Sequence, residues 1–355
     1  MFRINRRAVL SSKPLWACFV ASLFFVLVLA VPTPRFAYAQ QNQNRGRNAA
    51  PNAAASNGDI EILHVQGNVS MLSGAGGNIA VQVGNDGVLM VDTGLASSSD
   101  KVLAAVRSLS KRPITYIINT DDRADHIGGN NFFAKIGAPS AINRASGAKV
   151  IIVSYLTVLD RLNAAAGDNS SEDEQAGWPN DTYEVPQKNL SFNGEAIQIF
   201  HQPATTDGNS VVYFRKSDVV STGDLFDPSE YPIIDLKTGG SVQGVLEGLN
   251  RLKQIVIPLD HQEDGTMIIP GHGRICDIAD MDVYQQMVTV MRDRIQAMIK
   301  DGMTVEQVKA AKPTRDYDPI YGTSTGNWTT DMFVEAVYKS LSATPGKTQQ
   351  SRGAN

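Results

Sequence analysis

Short apolar blocks punctuated by turn residues open the readable part of the chain. Residues 60–65, 78–83 and 88–92 are rich in β-branched side chains and are separated by glycine and asparagine turns at 74–77 and 84–87, which predicts consecutive antiparallel strands. From residue 98 the period changes. Val102, Ala105, Val106 and Leu109 fall at helical spacing behind a serine, predicting a helix over 98–110 that leads into a buried strand at 114–118. A helix at 131–136, a short strand at 140–143 and a longer helical stretch at 145–165 follow. Residues 168–186 are polar, hold two prolines and the acidic run Ser171-Glu172-Asp173-Glu174, and predict a long surface loop, either a lid or a plain solvated connection. Strands are predicted again at 196–200, 210–214 and 218–221, then a helix over 242–254 and a strand at 267–269. The chain closes with an amphipathic helix over 280–301 (Val283, Met287, Val290, Ile295, Met298) and a capping box at Thr304 and Gln307 that opens another. Two strand-rich halves, each followed by helices, predict an α/β protein built as a four-layered αββα sandwich.

The first residues obey a different pattern. Residues 1–39 hold five basic side chains (Arg3, Arg6, Arg7, Lys13, Arg35), no acidic one, and an apolar run over 15–31 ending near Ala37-Tyr38-Ala39, as in a secretory signal peptide. An uncleaved anchor is the other reading, because the run approaches the ~18 residues of a spanning helix, and the Arg6-Arg7 pair hints at twin-arginine export. The expected location is exported, periplasmic or secreted, with no stable membrane insertion after cleavage. Residues 40–58, rich in Gln, Asn, Ala and Gly, predict a flexible linker. The main domain is expected over 59–276, with helices packed on it and a flexible tail over 277–355. Removing the five positive charges takes the formal charge from -4 to -9, and no basic block remains to meet a phosphate backbone, which excludes nucleic acid as a partner. Cys276 is then alone, so the mature chain has no intramolecular disulfide.

The chemistry concentrates in residues 119–130, N-T-D-D-R-A-D-H-I-G-G-N, directly after the predicted strand at 114–118. The frame T-x-x-x-x-D-H-x-G-G-N resembles the signature loop of the metallo-β-lactamase superfamily, usually T-H-x-H-x-D-H-x-G-G-N. Val91-Asp92-Thr93-Gly94, Gly223-Asp224 and Pro270-Gly271-His272-Gly273 resemble further motifs of that family, in the same order. The resemblance spans residues 60–273 and implies the same αββα architecture.

It also implies which ligands remain. The family's three-histidine metal position is replaced here by Asp121, Arg123 and Thr205, and is expected to be empty. The second position persists as Asp125, His126, Asp224 and His272, two carboxylates and two imidazoles suited to one Zn²⁺ or Fe²⁺. Asp92 is expected to support the metal loops by hydrogen bonding. Arg123 stands where the family places a dication. It either pairs with Asp121 and offers donors to a substrate oxyanion or carboxylate, or merely fills the degenerate site through an ion pair with Asp121 or Asp224. His64, His201 and His261 are expected to be ordinary surface or core residues, with His201 the one near enough in sequence to approach the vacated position. The implied function is an exported single-metal hydrolase of a small-molecule substrate, an ester, lactone, lactam or related bond, acting through a metal-activated water. Asp125, Arg123 and Asp121 are the expected catalytic side chains. The alternative is a non-catalytic metal-binding, binding or structural member of the same fold.

Overall fold

Two twisted sheets face one another and carry helices on their outer sides. The computed structural model describes residues 59–137, 148–167, 171–257 and 265–343; the expected signal segment, linker, strand at 140–143, His261 and tail lie outside them. The first sheet runs in the order β1 (Glu61–Gln66), β2 (Val69–Ala75), β3 (Gly77–Gly84), β4 (Gly87–Val91), β5 (Ile114–Ile118), β6 (Ile151–Tyr155) and β7 (Asp181–Tyr183). Its first four strands are antiparallel, and β4 to β7 are parallel. The second sheet has the order β12 (Met267–Ile269), β11 (Val219–Ser221), β10 (Ser210–Phe214), β9 (Glu195–His201) and β8 (Gln187–Phe192), with only β11 and β12 parallel.

The apolar faces explain the layering. Met71, Leu89, Val91, Ile118 and Val153 from the first sheet meet Ile197, Ile199, Val212, Phe214 and Val219 from the second, forming the central core. On the first sheet's outer face, α1 (Ser99–Leu109) buries Val102, Ala105 and Val106 against Ile79, Met90 and Ile117. On the second sheet's outer face, Leu246 and Leu249 of α6 (Val242–Ile255), Tyr284, Met287 and Met291 of α7 (Ile278–Lys300) and Phe333 and Val337 of α10 (Thr330–Ser342) share one cluster with Val211, Tyr213 and Val220. Burial at this scale, about 25 cal/mol per Å² of apolar surface removed from water, rather than any disulfide, holds the layers: Cys276 is buried and free. No helix among the described residues is long and apolar enough to cross a membrane.

Some local expectations are corrected. The stretch predicted as helix over 145–165 begins with β6, because Ile151, Ile152 and Val153 pair with β5 and are drawn into the parallel sheet; only Leu156–Ala166 (α4) is helical. β-branched propensity and cross-strand pairing outweigh the helical spacing there. The expected long loop contains a one-turn helix, Glu172–Gln175, and β7: the acidic run is a capping box in which Ser171 and Glu174 satisfy each other's backbone amides. β2 and β8 have no counterpart among the predicted elements. Ser98 does not cap α1 with its side chain, whereas Thr304 and Gln307 form the capping box expected of them.

Candidate metal centre

All the residues singled out by motif sit at strand ends on one rim of the sandwich. β4 ends at Val91 and passes into Asp92; β5 ends at Ile118 and passes into the loop of Asp121, Arg123, Asp125 and His126; β11 leads to Asp224 and β12 to His272. Parallel pairing of β4 with β5 and of β11 with β12 delivers these termini to the same end. Two glycines make the approach possible. A Cβ on Gly271 would overlap Asp224 Oδ1, and Gly223, at φ +50°, lies against Thr120 so closely that a Cβ would meet Oγ1.

His126 is fully buried and its orientation is determined from behind. Its Nδ1 donates to Asp92 Oδ2 at 2.7 Å, and Asp92 also accepts from the Thr120 amide (2.8 Å) and hydroxyl (2.7 Å). Asp92 reaches this position with φ +65°, a left-handed conformation that aspartate tolerates. With the proton placed on Nδ1, the lone pair of Nε2 points into the site. There it lies 3.1 Å from Asp224 Oδ1, and neither atom has a hydrogen-bond partner although both are buried. His272 Nε2 is 3.1 Å from Asp125 Oδ2 and 3.5 Å from Asp224 Oδ1. Ligands held tetrahedrally at ~2.0–2.1 Å from an ion stand ~3.3–3.4 Å apart, a spacing close to these contacts, so the chemistry of the donors fits a transition metal. Leaving two buried polar atoms unpartnered costs roughly 1–3 kcal/mol each, a cost that an ion between them removes.

The possible ligand atoms form two overlapping groups within 4.8 Å: Asp125, His126 and His272, and Asp121, His126 and Asp224. The first opens to solvent, with His272 and Asp125 each 26% exposed; the second is buried throughout. Asp121 therefore lies nearer the ligand set than its place in the motif suggests. Electrostatics follow the geometry. Burial alone would push the His126 imidazole down, but the Asp121 and Asp92 carboxylates outweigh it and hold its pKa up at about 9 without a metal. Burial likewise pushes Asp125 up, and it is overcome by the His272 hydrogen bond and the nearby imidazoles, which hold the carboxyl well below the ordinary range.

The other half of the site is self-satisfied. Arg123 Nη1 is bonded to Asp224 Oδ2 and Nη2 donates to the Ile233 carbonyl at 2.7 Å, while Nε stands 4.0 Å from Asp121. The guanidinium thus pairs chiefly with Asp224 rather than Asp121, because Asp121 is occupied: its Oδ1 accepts from the Arg123 amide (2.9 Å) and its Oδ2 from Asn209 Nδ2 (3.4 Å). Asn209 Oδ1 in turn accepts from the Thr205 hydroxyl (3.0 Å) and the Thr206 amide (2.7 Å). His201 is turned away, stacked on Tyr155 at 3.3 Å with Nε2 on the Asp207 carbonyl, and His64 lies exposed on β1.

Sequence reasoning missed three contributors. Asn78, buried on β3, donates through Nδ2 to the carbonyls of Pro270 and Gly273, both at 3.0 Å, and so clamps the turn that carries His272; a lone asparagine in the apolar run G-N-I-A-V was the available signal. Arg161 bridges Asp122 (2.7 and 2.9 Å) and Asp207, tying the signature loop to the Thr205 loop. Glu230, half-buried, is close enough to His272, Arg123 and Asp125 to interact electrostatically with all three. Neither of these two had a motif to mark it.

A family model described as Metallo-beta-lactamase superfamily matches residues 73–272. Among solved structures, the chain is similar to the stereoselective inverting sec-alkylsulfatase Pisa1 from Pseudomonas sp., with 14% identity, TM-score 0.59, 79% of this chain covered and 50% of that one; it thus spans about half that protein's length. It is also similar to a metallo-beta-lactamase from Pontibacter korlensis, with 16% identity and TM-score 0.49 over 65% of this chain and 99% of that one. No curated protein matches the chain.

Proposed function

The chain belongs to the metallo-beta-lactamase superfamily, and we propose that within it the protein is an exported single-metal hydrolase of a small ester, lactone, lactam or related bond. The observation that carries this reading is the pair of buried, unpartnered atoms, His126 Nε2 and Asp224 Oδ1, turned onto each other beside His272 and Asp125. Asp125, His126, Asp224 and His272 would hold the ion, Zn²⁺ or Fe²⁺. When bound it supplies Lewis acidity and brings a water toward a pKa of ~7. Asp125, at the open side, would orient an attacking water and take its proton on the carboxylate oxygen turned away from His272. Arg123, 19% exposed, donates its remaining N–H groups to the oxyanion that develops on the substrate. Asp121 steadies Arg123 through its main-chain amide. Export rests on the basic, then apolar, residues 1–39. The likeness to an alkylsulfatase, at 14% identity, supports the fold and not the substrate.

A second reading, a non-catalytic metal-binding member of the fold, is favoured by one observation: both Nη atoms of Arg123 already hold protein partners. Metal-loaded protein assayed on a broad panel of esters, lactones and lactams separates the two. The hydrolase reading expects turnover that falls about 10²-fold or more in Arg123→Ala and is little recovered in Arg123→Lys, whose point charge does not reproduce the fork. Asp125→Asn should fold normally and lose turnover. Absence of wild-type turnover across the panel, or a loss of thermal stability in Arg123→Ala without loss of rate, would establish the second reading instead.

A further inference from the structure

The charge of the substrate is legible in what surrounds the donor set. Six carboxylates gather there: Asp92, Asp121, Asp125 and Asp224 around His126, then Asp227 and Glu230, which both act on His272. Against them stand Arg123 and the dication that the ligands fit, so with neutral imidazoles six negative charges face three positive ones. The neighbouring Arg161 does not redress this, because it is shared between Asp122 and Asp207. Arg274, beside His272 in sequence, is turned onto Asp280 at 2.6 and 2.8 Å.

Five of the six carboxylates are committed or covered. Asp92, Asp121 and Asp224 are buried within the hydrogen bonds already described, and Asp125 is on His272. Asp227 is 5% exposed, with Oδ1 taken by the Ser229 amide and hydroxyl and Oδ2 buried without a partner. Glu230 differs. It sits on the segment that wraps Arg123, between the Asp224 carboxylate and the Ile233 carbonyl that hold the two Nη atoms. It is half-exposed, and its carboxylate has no hydrogen bond or ion pair among the described residues. Burial chiefly, then Asp227, raises its pKa against the opposing pull of His272 and Arg123.

Resting on the hydrolase reading above, we infer that the site takes neutral or cationic substrates and rejects anionic ones, and that Glu230 is the residue that meets the substrate's charged or polar end. A cleft lined by one sign of charge concentrates the opposite sign and repels its own; in the hydrolase reading the remaining N–H groups of Arg123 go to the oxyanion at the reacting bond, so a carboxylate remote from that bond meets the half-exposed Glu230 instead. A quaternary ammonium or amidinium group, by contrast, can pair with Glu230 without displacing any contact of the site.

The test is a set of acetate esters, identical around the scissile bond and differing only in a remote group: trimethylammonio, its neutral isostere tert-butyl, and carboxylate. With metal-loaded protein at low salt, kcat/KM for the carboxylate member should lie about tenfold or more below that of the neutral one, with the cationic member at or above it, and the spread should shrink at high salt. Glu230→Gln should narrow the cation-to-anion ratio about tenfold, and Glu230→Lys should narrow it further. An anionic ester turned over as well as the neutral one, or a ratio unmoved by Glu230→Lys, overturns the inference. If none of the three is hydrolysed, the hydrolase reading is decided separately by the broad ester, lactone and lactam panel, and calorimetric binding of the corresponding non-hydrolysable ethers decides the charge preference: cation tightest supports it, anion tightest refutes it.

Discussion

The two halves of the site meet the same problem, polar groups at converging strand ends, in opposite ways. In the half formed by Asp125, His126, Asp224 and His272, buried acceptors face one another and two atoms have no partner. In the half formed by Asp121, Arg123 and Thr205, where the resemblance implied an empty site, Asn209 and the Arg123 fork satisfy the groups from within the chain. Carboxylates gathered on imidazoles are completed by a proton or by a metal ion, whereas donors already matched to acceptors need neither. The contrast distinguishes a half with polar atoms left over from one whose groups are satisfied within the chain.

The sharpest way to break the comparison is Asp224, the residue common to both halves. Asp224→Ala removes a metal ligand and leaves the Arg123 charge without its carboxylate, so metal content should fall toward zero and stability by about 3–5 kcal/mol, as when one partner of a buried pair is lost; elemental analysis and denaturant unfolding read the two effects. Normal metal content in this variant would dissolve the distinction between the halves.

Chelation acts on one half only. Purified protein should hold close to one ion per chain, and removing it should lower stability by about 3 kcal/mol where free metal stood near 100 times its Kd. The pH dependence has a definite sign. In the metal-free protein the pKa of His126 is raised to about 9, above the ~6.5 of an unfolded histidine, so its stabilising contribution is complete below ~6.5 and is lost as pH rises through 9. Metal must displace that proton, so its affinity increases over the same interval. The gap in Tm between loaded and chelated protein should therefore widen from pH 6.5 to 9; a gap that narrows would place the ion away from His126.

Smaller effects belong to the self-satisfied half. Asn209→Ala strands the Thr206 amide and Asp121 Oδ2 and should cost about 2 kcal/mol while metal content stays at one, as measured by the same two assays. The smallest change is expected of His201→Phe, which keeps the stack on Tyr155, loses one hydrogen bond to the Asp207 carbonyl, and should cost about 1 kcal/mol or less with metal unaffected. Metal loss in either variant would show that the halves are not independent.

Much of this was legible along the chain. The strands of the first sheet other than β2, β6 and β7 follow from β-branched runs and glycine turns, and α7 follows from its apolar stripe, because such patterns report which face a segment buries. The candidate ligands were legible as motif positions, since strand-end loops keep their ligands in a readable order. Three matters were settled only by the tertiary structure. β6 became a strand because β5 and β7 flank it, a pairing that helical spacing over 145–165 could not reveal. Arg123 pairs with Asp224, 101 residues away, rather than with Asp121, because Asn209 and the Arg123 amide already occupy Asp121. Asn78, Arg161 and Glu230 acquired roles only when distant loops met at the rim. A sequence determines what each residue can donate, accept or bury; which of those capacities remain unspent is decided by neighbours that only the folded chain supplies.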